Sequence, residues 1–183
     1  MMSYTWQGVR QSAVPGDKME MYNAYTGKNN TTAILLSGGY GMETSPSDKV
    51  MLKYQVWECL MQKPRVIVFY AGATLFNAPT LAPVVEAIRT ARPYENFFTD
   101  GKKYTAAKAG SSRVRIKALA LGKKVLLYAT NYANLTGPEE KVFFPDVPKS
   151  VTDCSSGKKM AVRGKEFSFD FKPDRGRLFL VEF

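Results

Sequence analysis

Two stretches, "AILLSGG" at 33–39 and "VIVFYAG" at 66–72, are apolar at nearly every position and run out into small residues. Such uniform runs fit strands buried on both faces, as in a parallel sheet, rather than the alternating pattern of a half-exposed strand. Each is followed by a segment of helical character. In "TSPSDKVMLKYQVWECLMQK", Ser45 is placed to cap a helix, with Pro46 at its first position and Asp48 three residues after the cap. Val50, Tyr54, Trp57 and Met61 then share one face. Lys63-Pro64 ends the helix, because a residue before proline avoids helical dihedrals. "NAPTLAPVVEAIRTA" predicts a second helix with Leu81, Val84, Val85 and Ile88 turned inward. The order strand–helix–strand–helix makes a parallel sheet with right-handed crossovers.

Two parallel strands do not stand alone, since both faces and both edges need cover. Three arrangements supply it. The chain is a piece of a larger barrel, it completes a barrel with another chain, or its first forty residues add strands to a small sheet. Those residues hold short aromatic stretches and polar turns: "YTWQGVRQ", "VPGDK" and "TGKNNT". Within them "KMEMYNAYTG" has helical character, with Met19, Tyr22 and Tyr25 spaced by three.

Beyond Gly101 the period changes to two. Val114, Ile116, Ala118 and Ala120 alternate with Arg113, Arg115, Lys117 and Leu119 in "SRVRIKALAL". "KKVLLYATNYAN" and "EKVFFPDV" continue as strands, and "KSVTDCSSGKKMAV" reads as strand–turn–strand around Ser155-Ser156-Gly157. "KEFSFDFKP" sets Phe167, Phe169 and Phe171 opposite Ser168 and Asp170, and "DRGRLFLVEF" closes the chain. Six or seven short strands with turns between them predict an antiparallel sandwich. The expected architecture is α/β plus all-β, with a boundary at 102/103.

Charge changes at the same place. Residues 1–100 carry 9 Lys/Arg and 8 Asp/Glu, whereas residues 101–183 carry 17 and 8, so nearly all of the net +10 sits in the second half. A basic domain raises the possibility of nucleic-acid binding. Here the cations interleave with apolar residues along strands, which is what a solvated sheet face needs, and nucleic acid is not the expected partner. No apolar run is long enough to span a bilayer. The start, "MMSYTWQGVRQ", has no secretory h-region, so the sequence predicts no export signal and leaves the compartment open. Cys59 and Cys154 lie in separate segments and read as free thiols.

Taken together, "AILLSGGYG", "QVWECLMQKPRVIVFYAG" and "KSVTDCSSGKKMAVRGKEFSFDFKPDRGRLFLVEF" resemble the C-terminal end of a retaining (β/α)8-barrel glycoside hydrolase with its appended β-sandwich. The first is similar to the seventh barrel strand, the second to the following helix and eighth strand, and the third to the last hairpins of the sandwich. The resemblance covers about three quarters of the chain. It implies a partial (β/α)8 barrel, the last two β/α units, over 1–102, and an accessory sandwich over 103–183. It also implies carbohydrate as ligand, with either the remainder of a barrel or self-association covering the open sheet.

Retaining glycosidases use two carboxyl groups about 5 Å apart, one as nucleophile and one as acid/base. The resemblance places the nucleophile at the end of the seventh strand, where this chain has Gly38 and Gly39. Glu43 is the nearest carboxylate and the candidate catalytic residue, against a plainer role at a helix start. The strand that carries the acid/base in such families is not in this sequence, so the chain by itself is expected to be inactive. Trp6, Tyr40 and Tyr70 are the candidate sugar-stacking residues, with core packing as the competing role. Trp57, on the apolar helix face, reads as core. With no His in the chain, the usual base for a Ser or Cys nucleophile and the commonest zinc ligand are missing. Neither cysteine has a second ligand at metal spacing, and "SGGYGMETS" lacks the Gly-Lys-Ser/Thr of a phosphate loop, so no metal or cofactor is expected. The alternative function is a non-enzymatic module whose basic sandwich binds an acidic glycan or nucleic acid.

Overall fold

The computed structural model describes residues 2–3, 14–26, 32–37, 46–71, 78–131, 139–172 and 174–183. The chain forms two compact units, Met1–Pro93 and Tyr94–Phe183.

The first unit runs β1 (Met2–Ser3), α1 (Val14–Thr26), β2 (Thr32–Ser37), α2 (Pro46–Leu60), β3 (Val66–Ala71) and α3 (Ala78–Ala91). The strands lie in the order β1-β2-β3 and pair in parallel, with Ser3 opposite Leu35 and Ser37 opposite Ala71. There are thus three β/α units where the sequence suggested two. A two-residue strand is too short to show a period, so β1 could not be seen before it was paired. The helix layer follows the same order, with α2 between α1 and α3.

Helix α2 is buried on every side from Leu52 to Cys59, including Lys53, Gln55 and Glu58. Glu58, beside Trp57 in the sequence, is 1% exposed and so faces neighbours rather than solvent. Tyr54, Trp57 and Met61 are core as their spacing predicts. On α3 the buried face is Val84, Ala87 and Ala91, while Leu81, Val85 and Ile88 are 37%, 47% and 50% exposed. The apolar residues expected to point inward are therefore mostly outside. The cause is close helix packing: the small Ala87 lets α2 approach, and the Trp57 indole Nε1 donates to the Ala87 carbonyl at 3.1 Å. In α1, Met19 is buried but Tyr22 and Tyr25 are exposed, so their shared spacing does not mark a buried face.

The second unit begins with a short helix, α4 (Glu95–Thr99), and continues with nine strands among its described residues. These are β4 (Lys102–Lys103), β5 (Lys108–Ala109), β6 (Arg115–Leu121), β7 (Lys124–Thr130), β8 (Glu140–Phe143), β9 (Ser150–Asp153), β10 (Val162–Arg163), β11 (Glu166–Phe169) and β12 (Gly176–Glu182). They form two antiparallel sheets, β10-β11-β8-β5 and β4-β6-β7-β12-β9. The unit starts at Tyr94, ahead of the boundary drawn at 102/103, because α4 packs against β6 and buries Phe97. The three two-residue strands raise the count above the six or seven expected.

Alternation holds where it was clearest. Val114, Ala118, Val125, Leu127, Ala129, Phe167, Phe169, Phe171, Phe179 and Val181 make one core between the sheets, with Ile116 and Ala120 packed against it. Phe167, Phe169 and Phe179 meet edge-on or tilted, with centroids 5.0–5.8 Å apart, which aromatic rings favour over face-to-face stacking. The opposite face of the five-stranded sheet is also buried at Leu119, Leu126, Tyr128 and Leu178. These sit in register with one another across β6, β7 and β12. On β6 the interleaved cations were expected to mark a solvated face; Arg115 is exposed there, while Leu119 on the same side is buried.

Candidate functional site

Parallel strands end together, so their carboxyl ends form one rim, and in parallel α/β sheets generally ligands bind beyond that end of the strands. In the first unit the rim consists of Ser3, Ser37 and the pair Tyr70-Ala71, aligned by the registers Ser3–Leu35, Leu36–Tyr70 and Ser37–Ala71. Tyr70 is the predicted site residue whose strand position is fixed: it is the penultimate residue of β3, beside Leu36. In the sequence Trp6 follows the end of β1, and Tyr40 and Glu43 follow the end of β2; all three lie outside the described residues. Ser3 is a rim residue that periodicity could not reveal, because only its pairing with β2 places it. No carboxylate stands at the strand ends among the described residues.

The buried carboxylates of the described residues serve other ends. Glu58 lies within α2. Glu140 accepts from the Ser111 hydroxyl at 2.8 Å, with Arg113 Nε 4.0 Å away. Asp153 is 1% exposed and is held on both oxygens. It accepts from the Ser155 and Ser156 amides at 3.1 and 2.8 Å, and from the Ser156 hydroxyl at 2.8 Å. Arg177 grips its other oxygen through Nε at 2.9 Å and a terminal nitrogen at 2.8 Å. Burial pushes the Asp153 carboxyl up, but the Ser156 bonds and the Arg177 guanidinium outweigh it and hold the group below the usual carboxylate range. Asp153 is therefore a fixed anion that shapes the "DCSSG" turn. The turn closes with the Gly157 amide donating to the Asp153 carbonyl at 2.8 Å, Gly157 taking the left-handed φ of 69°.

Next to it, the Cys154 thiol is pushed up to about 12 by burial, and the Tyr94 hydroxyl, hydrogen-bonded to it, is also raised by burial. Both groups stay neutral at ordinary pH, and a neutral thiol is a poor nucleophile. In the first unit, Lys53 Nζ is buried, 2.6 Å from Glu86 and 5.0 Å from the Trp57 ring centre. It joins α2 to α3 rather than facing the rim. Among the described residues no group of three or more His, Cys, Asp or Glu side chains is arranged to hold a metal ion, and no helix is long and apolar enough to cross a membrane.

No protein-family model and no curated protein matches the sequence. Solved glycoside hydrolases match the fold. A maltogenic α-amylase, AmyB, from Thermotoga neapolitana is 10% identical with a TM-score of 0.58, over 91% of this chain and 45% of that one. A GH30 endoxylanase from Clostridium papyrosolvens C71 is 12% identical with a TM-score of 0.55, over 100% of this chain and 48% of that one. An α-amylase from Anoxybacillus is 7% identical with a TM-score of 0.58, over 95% and 45%. The fold is glycoside-hydrolase-like, and the chain spans less than half the length of these enzymes.

Proposed function

We propose that this chain is the C-terminal part of a carbohydrate-active protein of glycoside-hydrolase type. Its share of the sugar site is the rim at the carboxyl ends of β1, β2 and β3, with Tyr70, Tyr40 and Trp6 as stacking residues. The observation that carries the reading is the chain order, three β/α units in a sequential parallel sheet followed by a two-sheet antiparallel unit, together with amylase and xylanase folds that match 91% and 100% of the chain. Glu43 is the one carboxylate proposed to face the reaction, and a retaining mechanism needs a second. The 183-residue chain is therefore inactive alone. Purified chain is expected to bind oligosaccharide weakly and to leave aryl glycosides intact, and replacing Tyr70, Tyr40 and Trp6 together by Ala is expected to abolish retention on a polysaccharide gel. Turnover lost on Glu43→Gln would overturn the inactivity. Retention unchanged in the triple variant would overturn the assignment of the rim.

A second reading rests on one corner of the sandwich. Lys102, Lys103, Lys123 and Lys124 are all exposed, and register brings β4 beside the β6–β7 turn that carries the last two. An acidic glycan would bind there through charge, and its affinity would fall steeply with salt, whereas stacking on neutral sugar would not. Lys124 is already paired with Glu182 at 2.7 Å, which weakens this corner as a binding surface and leaves the rim as the first choice.

A further inference from the structure

In the second unit the four-stranded sheet turns one face to the core and the other outward. Register sets one row of side chains across the outer face: Arg163 of β10, Glu166 of β11, Phe143 of β8 and Lys108 of β5. Directly opposed residues of an antiparallel pair share a face, and the next row, Val162, Phe167, Val142 and Ala109, belongs to the core. Phe143 is thus an aromatic side chain on the outside of the sandwich, 38% exposed. Gly110 shows how its ring lies. A β-carbon there would stand 3.3 Å from Phe143 Cε2 and 3.2 Å from Lys141 Cβ, so the ring leans over bare backbone and keeps its other side for solvent. Such cover stabilises an edge strand, but it does not call for the charges around the ring. Lys141 is tied to Glu166 at 2.6 Å. Lys108 and Arg163 are exposed at the two ends of the row and make no ion pair or side-chain hydrogen bond among the described residues. Their backbones are three strand spacings apart, about 14 Å. The other anion of this face, Asp170, lies just past the end of β11 and accepts from the Lys172 amide at 2.9 Å.

We propose that this outer face binds a polysaccharide that carries carboxylates. The phenyl ring of Phe143 takes the apolar face of one sugar ring, and Lys108 and Arg163 take carboxylates on either side of it. Charge complementarity selects an acidic chain over a neutral one: two unspent cations flank the ring, and Glu166, the one anion in the row, is already neutralised by Lys141. The choice of a glycan over other polyanions rests on the carbohydrate-active reading above. The surface itself is neither the strand-end rim, which belongs to the first unit, nor the lysine corner, which belongs to the other sheet.

The test is affinity electrophoresis of the 183-residue chain in gels that hold polygalacturonate, amylose or no polymer, with single-stranded DNA titrated by fluorescence anisotropy for comparison. Retardation by polygalacturonate is expected at about 20 mM salt and should be largely lost at about 500 mM, where exposed charges are screened. Lys108→Glu with Arg163→Glu should weaken it at least about tenfold. Phe143→Leu keeps apolar cover over Gly110 but removes the ring, and should weaken it severalfold, while Phe143→Tyr should bind as the parent does. Lys158→Glu, an exposed charge in the turn after β9, should change nothing. Circular dichroism verifies that each variant is folded. A parent chain that ignores polygalacturonate, binding that survives both the charge reversal and Phe143→Leu, equal retardation by amylose, or tighter binding to the DNA would each overturn the proposal. Polygalacturonate binding lost in the Tyr70, Tyr40 and Trp6 triple variant and kept in these would move the ligand to the strand ends, overturning this inference and sparing the reading it rests on.

Discussion

Replacing Asp153 by Ala should destabilise the second unit more than any other single surface-to-core polar change in it. The carboxylate is buried, and its removal leaves Arg177, whose side chain is 18% exposed, without its counter-charge. Breaking a buried pair from one side costs about 3–5 kcal/mol. Partial exposure lets water reach the guanidinium and moves the cost to the lower end. The three bonds from Ser155 and Ser156 are lost in the same step and fall within that range rather than adding to it. The expected loss is about 3–4 kcal/mol, and in a unit of this size each kcal/mol moves Tm by about 4–8 °C, so the transition should fall by well over 10 °C. Calorimetry measures it, with hydrogen exchange in β7 and β12 assigning the transition to the second unit. Asp153→Ala with Arg177→Met should recover much of the loss, because replacing both partners by apolar groups is close to neutral. The pH dependence follows from the same geometry. The folded carboxyl titrates below its unfolded value of about 3.9, so its contribution is complete above that pH and is lost as pH falls through the folded value. A loss under about 1 kcal/mol, or an acid limb unchanged in the variant, would refute the reasoning.

Trp57→Phe removes the bond to the Ala87 carbonyl and should cost the first unit about 1–3 kcal/mol, seen as a lower urea midpoint for residues 14–91 by hydrogen exchange. Neither thiol should react with a disulfide reagent in the native chain at pH 8, since Cys59 is buried and Cys154 titrates near 12, while both should react at once in guanidinium; fast native labelling of Cys154 would show that its burial is misjudged. Residues 94–183 expressed alone should unfold cooperatively with dispersed amide resonances, because their two sheets close one shared core. A collapsed spectrum would refute that independence.

What the sequence determined by itself was period. Uniform apolar runs gave β2 and β3 as parallel strands, and strict alternation gave the aromatic core of the sandwich through Phe167, Phe169 and Phe171, because both signals depend on residues close along the chain. Proline placed the end of α2 for the same local reason. Tertiary structure decided what depends on partners. β1 is a strand only because Met2 and Ser3 pair with Ile34 and Leu35. Ala87 rather than Ile88 faces α2 because a small residue lets an indole reach a backbone carbonyl. Glu58 is buried with the whole stretch Leu52–Cys59 of a helix that packs against α1, α3 and β2, and Leu119 is buried on the side of β6 where its neighbours in the alternation are cations. The rim was legible as the ends of two strands, with Tyr70 on one of them. Its third member, Ser3, waited on the register, since the alignment of parallel strand ends is a property of pairing and not of any one segment.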